Sequence, residues 1–345
     1  MSNLKLVLWN MEWLDDLFKP TKKNEPAQFR PDDEEAPHSF KVTVKQRRDD
    51  LSGVLRELMP DVVIIVEGPS RPEELQMFFD SMGEGTWITS LQVSAGQTQN
   101  IGIAVRVDTN KFNDPPFQFW DTEKNHLFDP FHMDTDGDNI EEQHHFERRP
   151  LYVEISPVQG KPFRVLGLHL KSKGIFGAYE WSKWWQMADS NRKKILAQAA
   201  YIHDMFIEPY LTDKKTKQIP LIVCGDINDG PGLDASERRL FGSGIERLMG
   251  SIWQPELCLG NSLFDSMKPK EKKDLNFSIY TTSYRDPIFN NVYQQEWIDH
   301  LLYSRSSQNW VQSAKVNLKM PDGKEIWKKY KNASDHYPVS CQVVT

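Results

Sequence analysis

A chain of 345 residues, 39% hydrophobic and 26% charged, has enough apolar residues for a large globular core, which excludes a disordered or fibrous polymer. A formal charge of −7 excludes a protein that coats nucleic acid with lysine and arginine, but not an enzyme whose carboxylates hold divalent cations and then attract phosphate. Cys224, Cys258 and Cys341 are scattered, which excludes a disulfide framework or a zinc site; with no signal-peptide pattern and no apolar run of membrane length, the expected location is the cytoplasm.

The first element is a strand, LKLVLW at 4–9, closed by the polar Asn10. Residues 15–42 are polar, proline-containing and weakly periodic, as expected of a loop insertion lining a substrate face. Between 44 and 59, Leu51, Val54, Leu55 and Leu58 share one helical face, and Pro60 ends the helix. VVIIV at 62–66 is a strand closed by Glu67, and IGIAVRV at 101–107 is another. Residues 108–148 read as a second insertion. Within it, Asp134, Asp136 and Asp138 alternate as in a calcium-binding EF-hand loop. Asn139, Glu141 and His145 stand where that loop needs glycine, an aliphatic residue and glutamate, so a surface turn is expected. His144 and His145 are expected in an exposed polar loop.

LYVEI at 151–155 and FRVLGLHL at 163–170 are further strands, the second carrying His169. The longest helical stretch, 180–206, places Trp181, Trp184 and Trp185 at helical spacing, which favours a core stripe over a base-stacking platform. LIVCG at 221–225 leads into Asp226 and Asn228, IDHLLYS at 298–304 begins with Asp299 and His300 close together, and YPVSCQVV at 337–344 follows Asp335 and His336. Interspersed strands and helices, with no repeat and no linker rich in Gly, Pro or Ser, predict an α/β chain. Two sheets would pack face to face with helices outside, in a single domain over 1–345.

Polar residues at the ends of buried strands converge when the strands share a sheet. Asn10, Glu67, His169, Asp226, Asn228, Asp299, Asp335 and His336 therefore form a candidate site. His300 is assigned a structural role, because neighbours on a strand point to opposite faces.

WNMEW, VEGPS, LHLKSKG, CGDINDGPG, WIDHLL and SDHYPV, in this order from residue 9 to residue 339, resemble the successive motifs of the endonuclease/exonuclease/phosphatase superfamily. The resemblance implies a four-layered α/β sandwich, two central mixed β-sheets flanked by helices, with the site at one end of the sheets. It also implies roles. Glu67 would bind the divalent metal, Mg²⁺ with Mn²⁺ as a substitute, since a hard cation takes oxygen ligands. Asn10 and Asp335 would lie beside that metal, and Asp226 and Asn228 would position the attacking water and the phosphate. His336 would be the catalytic histidine, its tautomer fixed by Asp299. His169 would contact the scissile phosphate, as in the pancreatic-deoxyribonuclease-like and sphingomyelinase-like branches. Asp226 and His336 are both candidates for taking the water's proton.

Together these residues imply in-line attack of water on a phosphodiester. HLKSKG is similar to a segment of bacterial nucleases of low sequence specificity, so Lys171 and Lys173 are expected to contact phosphates, with Arg106, Arg148 and Arg149 as further candidates. The expectation is a Mg²⁺-dependent nuclease acting on DNA before RNA, without membrane insertion. The alternatives are a sphingomyelinase-like phosphodiesterase acting on a phospholipid or small phosphorylated substrate, and a catalytically silent binding module. GDINDGPG and QQEWIDHLL lack the signatures of phosphoinositide 5-phosphatases, and the full set of site residues disfavours the silent module.

Overall fold

A computed structural model describes residues 3–20, 25–39, 41–94, 99–175, 180–231, 235–270, 272, 279–286, 292–305 and 309–345. Each apolar run expected to be a strand is one, and further strands lie between them. The first half contributes β1 (Asn3–Asn10), β2 (Val62–Gly68), β3 (Trp87–Gln92), β4 (Asn100–Arg106), β5 (Phe112–Trp120), β6 (Phe131–Met133), β7 (Glu142–His144), β8 (Leu151–Pro157) and β9 (Phe163–His169). The second half contributes β10 (Leu221–Asp226), β11 (Gly260–Asn261), β12 (Thr282–Asp286), β13 (Val292–Glu296), β14 (Asp299–Tyr303), β15 (Val311–Val316) and β16 (Val339–Val344). One six-stranded sheet has the order β15-β16-β1-β2-β4-β3 and the other β11-β14-β10-β9-β8-β5.

Side chains alternate across each strand, and the alternation builds the layers. Leu4, Leu6 and Leu8 of β1 and Ile64 of β2 face Val165 of β9 and Cys224 of β10 across the space between the sheets. Val7, Trp9, Val63 and Ile65 point the other way, onto α1 (Val44–Leu58) and α2 (Pro72–Ser81). On the far side, Leu166, Leu168 and Val223 meet Ile195, Ala199 and Ile202 of α3 (Trp181–Ile202). Helix, sheet, sheet and helix are thus stacked in the four layers expected. Each aliphatic side chain buried in these cores contributes roughly 1.5–3 kcal/mol, so runs apolar on both faces specify sheets covered on both faces.

Thr43 caps α1 through a reciprocal pair with Gln46, and the helix ends at Met59 in a left-handed conformation, just before Pro60 as expected. Inside 108–148, residues 112–120 form the edge strand of the second sheet, and β6 with β7 make a hairpin. The apolar period of β5 is interrupted by Pro115 and Pro116, which sit where its register with β8 shifts between Phe112 and Phe117. His144 is buried against Phe131, contrary to the exposed loop expected, because β7 turns it inward. Trp185 is 51% exposed, so the tryptophan spacing does not make a core stripe there; the Trp181 side chain lies outside the described residues. Cys224 and Cys341 are buried free thiols. Among the described residues no helix is long and apolar enough to cross a membrane.

Strand direction decides where the polar residues go. β1 runs parallel to β2, and β9 parallel to β10, so Asn10, Glu67, His169 and Asp226 arrive at the same end. β4, β8, β14 and β16 are antiparallel to their neighbours and start at that end.

Candidate active site

The site lies at that shared end, between the two sheets. Asp226 stands opposite both His169 of β9 and Asp299 of β14 in the ladder. The closeness of β9 and β10 depends on Gly225, where a Cβ would lie 1.9 Å from the carbonyl oxygen of Leu168. Asn10 is 1% exposed and donates from its amide nitrogen to Glu67 Oε1 at 3.3 Å and to Asp226 Oδ2 at 3.1 Å, joining the two sheets. Its Oδ1 accepts the Glu12 N–H at 2.9 Å. Turning the amide over would set an oxygen against two carboxylates and leave that N–H unpaired, so the amide nitrogen of Asn10 orients the two carboxylates.

Glu67 is fixed from several sides. Oε2 accepts the Trp13 N–H at 3.0 Å and the Gln99 amide at 2.8 Å, while Oε1 lies 3.9 Å from His169 Nε2. The Arg148 guanidinium in turn donates to Gln99 Oε1. Asp226 Oδ1 accepts the Asn228 N–H at 2.9 Å, and its Oδ2 lies 3.8 Å from His169 Nε2 and 4.0 Å from His336 Nε2. His336 Nδ1 meets Asp299 Oδ2 at 2.7 Å, and the Asp299 N–H is held by Thr281 Oγ1 at 2.9 Å. Asp335 donates its N–H to Glu12 Oε2 at 3.1 Å, and its Oδ1 is 3.8 Å from His336 Nε2. Glu12, Trp13, Glu67, Gln99 and Asn228 all have φ between 44° and 62°. Left-handed backbone at non-glycine residues costs free energy, and such strain gathers where a geometry must be held for function.

The electrostatics separate the two histidines. Burial works against a charge on His336, but Asp299, Asp335 and Asp226 outweigh it and hold its pKa well above the ordinary value. Burial, together with the positive charges of Arg148 and His336, holds His169 well below it, as a neutral imidazole. Burial, with Asp299 nearby, pushes the Asp226 carboxyl up to about 7. Burial and the Asp335 carboxylate likewise push Glu12 to about 7, with Glu67 adding to the repulsion. Arg47, 3.8 Å from Glu12, and His336, 4.0 Å from Asp226, offset only part of this repulsion, and oxygen donors of this kind are those a hard divalent cation takes. Asp226, Asp299 and His336 also fall within 4.8 Å of one another, but the Asp299–His336 hydrogen bond occupies that group.

Of the residues expected from the sequence, Asn10, Glu67, His169, Asp226, Asn228, Asp299, Asp335 and His336 are brought together. Lys171 is at the margin, its N–H on Gln198 Oε1 at 2.9 Å and its ammonium lowered in pKa by burial. The Lys173 ammonium lies 2.6 Å from Asp229, a buried carboxylate that also accepts from Ser243 Oγ and the Ile245 N–H; Lys173 is thus tied to the scaffold. Arg106 is not at the site. β4 starts at the site and carries it about 20 Å away at ~3.3 Å per residue, where it pairs with Asp108 at 2.8 Å. His300 is fully buried and meets the Asp229 carbonyl at 2.8 Å, in the structural role expected. Sequence reasoning did not single out Glu12 or Gln99. Glu12 carried a signal, lying two residues beyond Asn10 in WNMEW; Gln99 carried none. Elsewhere, Asp134 accepts the backbone N–H groups of Asp136, Gly137 and Asn139, as a surface turn does, and Asp136 pairs with Lys193 at 2.5 Å.

No protein-family model and no curated protein sequence matches the chain. Solved structures do resemble it. A 3′ phosphatase, NExo, from Neisseria, bound to a product DNA hairpin, is 15% identical with a TM-score of 0.50, over 99% of this chain and 100% of that one. An AP endonuclease from Archaeoglobus fulgidus is 14% identical over 99% of this chain and 100% of that one, with a TM-score of 0.49. TDP2 from D. rerio, complexed with a single-strand DNA product, is 14% identical over 100% of both chains, with a TM-score of 0.49.

Proposed function

From the fold of the endonuclease/exonuclease/phosphatase superfamily, which this chain has, we propose that the protein is a Mg²⁺-dependent phosphodiesterase, a DNA endonuclease of low sequence specificity working by in-line attack of water. The observation that carries the reading is the pair of buried histidines whose Nε2 atoms lie 3.8 and 4.0 Å from the same oxygen of Asp226, in surroundings that favour charge on His336 and disfavour it on His169. Groups whose environments push their pKa values apart are suited to acid–base work.

Asp226, titrating near 7, takes the water's proton, since a base poised near the working pH is the most effective one. The His336 imidazolium, steadied by Asp299, offsets the negative charge that develops on the phosphorus oxygens. His169, neutral, offers a hydrogen bond beside Asp226. Glu67, Glu12 and Asp335 would hold the divalent cation, whose charge neutralises the phosphate and keeps these carboxylates ionised when it is bound. Arg148, bonded to Gln99, and Lys171, whose backbone N–H rests on Gln198, would meet phosphates flanking the scissile bond. That a 3′ phosphatase of this fold holds a DNA hairpin supports DNA as the substrate class. The unbonded Cys224 and Cys341 support a reducing compartment, the cytoplasm, and the chain is taken to act as one domain.

The test is cleavage of supercoiled plasmid, single-stranded DNA and RNA by purified protein with Mg²⁺ or Mn²⁺, with EDTA and His336→Ala as controls. Metal-dependent nicking that falls by about 10⁴ in His336→Ala, without unfolding, is the expected result. No nucleic-acid cleavage, with hydrolysis of a choline or inositol phosphodiester instead, would overturn the substrate assignment.

A further inference from the structure

That mechanism uses neither the side chain of Trp13 nor the 15–42 stretch. Glu12 and Trp13 are consecutive left-handed residues, φ 44° and 53°. Their turn aims the Trp13 N–H at Glu67 and delivers the indole to the imidazole of His38, with ring centroids 4.0 Å apart and planes 13° from parallel. His38 is anchored twice on Asp16, by its N–H at 2.8 Å and by Nδ1 at 2.6 Å, and Asp16 is only 3% exposed. The loop carrying His38 is closed by bonds from the Ala36 N–H to the Val42 carbonyl and from the Ser39 N–H to the Ala36 carbonyl. The buried Arg47 guanidinium, which also donates to the Met11 carbonyl, holds Ser39 Oγ at 3.0 Å. Yet the His38 side chain is 49% exposed.

A pair of stacked rings held by these bonds therefore lies beside the site, its inner ring on the residue whose N–H meets Glu67 and its outer ring on a half-exposed side chain. Merely covering Trp13 would not require a ring fixed from its backbone, its side chain and its loop. A pre-fixed aromatic face beside a phosphodiester site is the surface on which a nucleobase stacks, and stacking tolerates any base. Resting on the reading of the site as a nuclease, we propose that the Trp13–His38 stack is a platform for the base of the nucleotide next to the scissile phosphate, with His38 supplying the contacting face. The 15–42 stretch thereby contributes to substrate recognition at the site.

The experiment compares two single strands with the same phosphodiester backbone, one bearing bases and one built of abasic residues, in kcat/KM. Two variants separate ring from anchor: His38→Asn keeps an amide that reaches Asp16 but has no ring, and His38→Phe keeps a ring but cannot make the side-chain bond. Wild type is expected to favour the base-bearing strand about tenfold, His38→Asn to lose that preference while cleaving the abasic strand within about twofold of wild type, and His38→Phe to retain it. Equal losses on both strands, or no loss in His38→Asn, would overturn the platform. A wild-type protein inactive on both strands but active on a choline phosphodiester would overturn the nuclease reading, and the platform with it.

Discussion

Asp299→Asn isolates the charge on the carboxylate that holds His336. The side chains meet at 2.7 Å, with Asp299 1% and His336 8% exposed. Asparagine keeps the shape and can offer an amide oxygen, so folding loses only the charge assistance of one hydrogen bond, about 1.5 kcal/mol. Catalysis loses more, because the imidazolium must persist beside the phosphate. A carboxylate about 4 Å from that charge, at an effective dielectric of about 20, contributes about 4 kcal/mol. At 1.36 kcal/mol per tenfold this is a fall of about 10³ in kcat/KM. The pH dependence adds a second readout. The folded pKa of His336 is raised, so the pair's stabilisation is fully present below the unfolded value of about 6.5 and is lost as pH rises through the folded value. The Tm deficit of the variant is therefore largest in mildly acidic buffer and shrinks with rising pH, and the basic limb of its kcat/KM profile moves to lower pH. Plasmid nicking and thermal denaturation across pH measure both. A variant within tenfold of wild-type activity, or a Tm deficit independent of pH, would refute the reasoning.

Glu12 titrates near 7 in the folded state against about 4.5 for a free side chain, so its burial favours the folded protein at low pH and opposes it as pH rises through that window. Glu12→Gln should raise Tm at pH 8 in EDTA by about 2 °C or more, leave it unchanged near pH 4.5, and reduce the stabilisation that Mg²⁺ gives at pH 8. Arg148→Ala should lower kcat/KM on DNA by about tenfold or more, whereas Arg106→Ala, at the far end of β4, should stay within about twofold of wild type. Gly225→Ala forces a Cβ to within 1.9 Å of the Leu168 carbonyl oxygen. It should cost about 3 kcal/mol or more, read as a lowered denaturation midpoint, because parallel backbones cannot separate without shifting Asp226 from His169.

Local chemistry was legible in the chain itself. Continuous apolar runs closed by Asn10, Glu67, His169 and Asp226 marked strands covered on both faces with polar ends, since burial acts on each run whatever its neighbours are. The prolines within β5 and the short runs of β6 and β7 hid elements whose stability comes from partners distant in sequence. Pairing direction was not legible. It separates Arg148, just ahead of the antiparallel strand β8 and so at the site, from Arg106, at the end of β4 and so far from it. The remaining assignments depend on distances no spacing encodes: an amide of Asn10 shared between two sheets, a lysine committed to Asp229, and a ring of His38 laid on Trp13. The sequence by itself determined which groups could do the chemistry, because residue type sets charge and donor capacity. Only the tertiary structure decided which of them share a dry space, and burial with neighbouring charge there is what makes one histidine an imidazolium and the other a neutral ring.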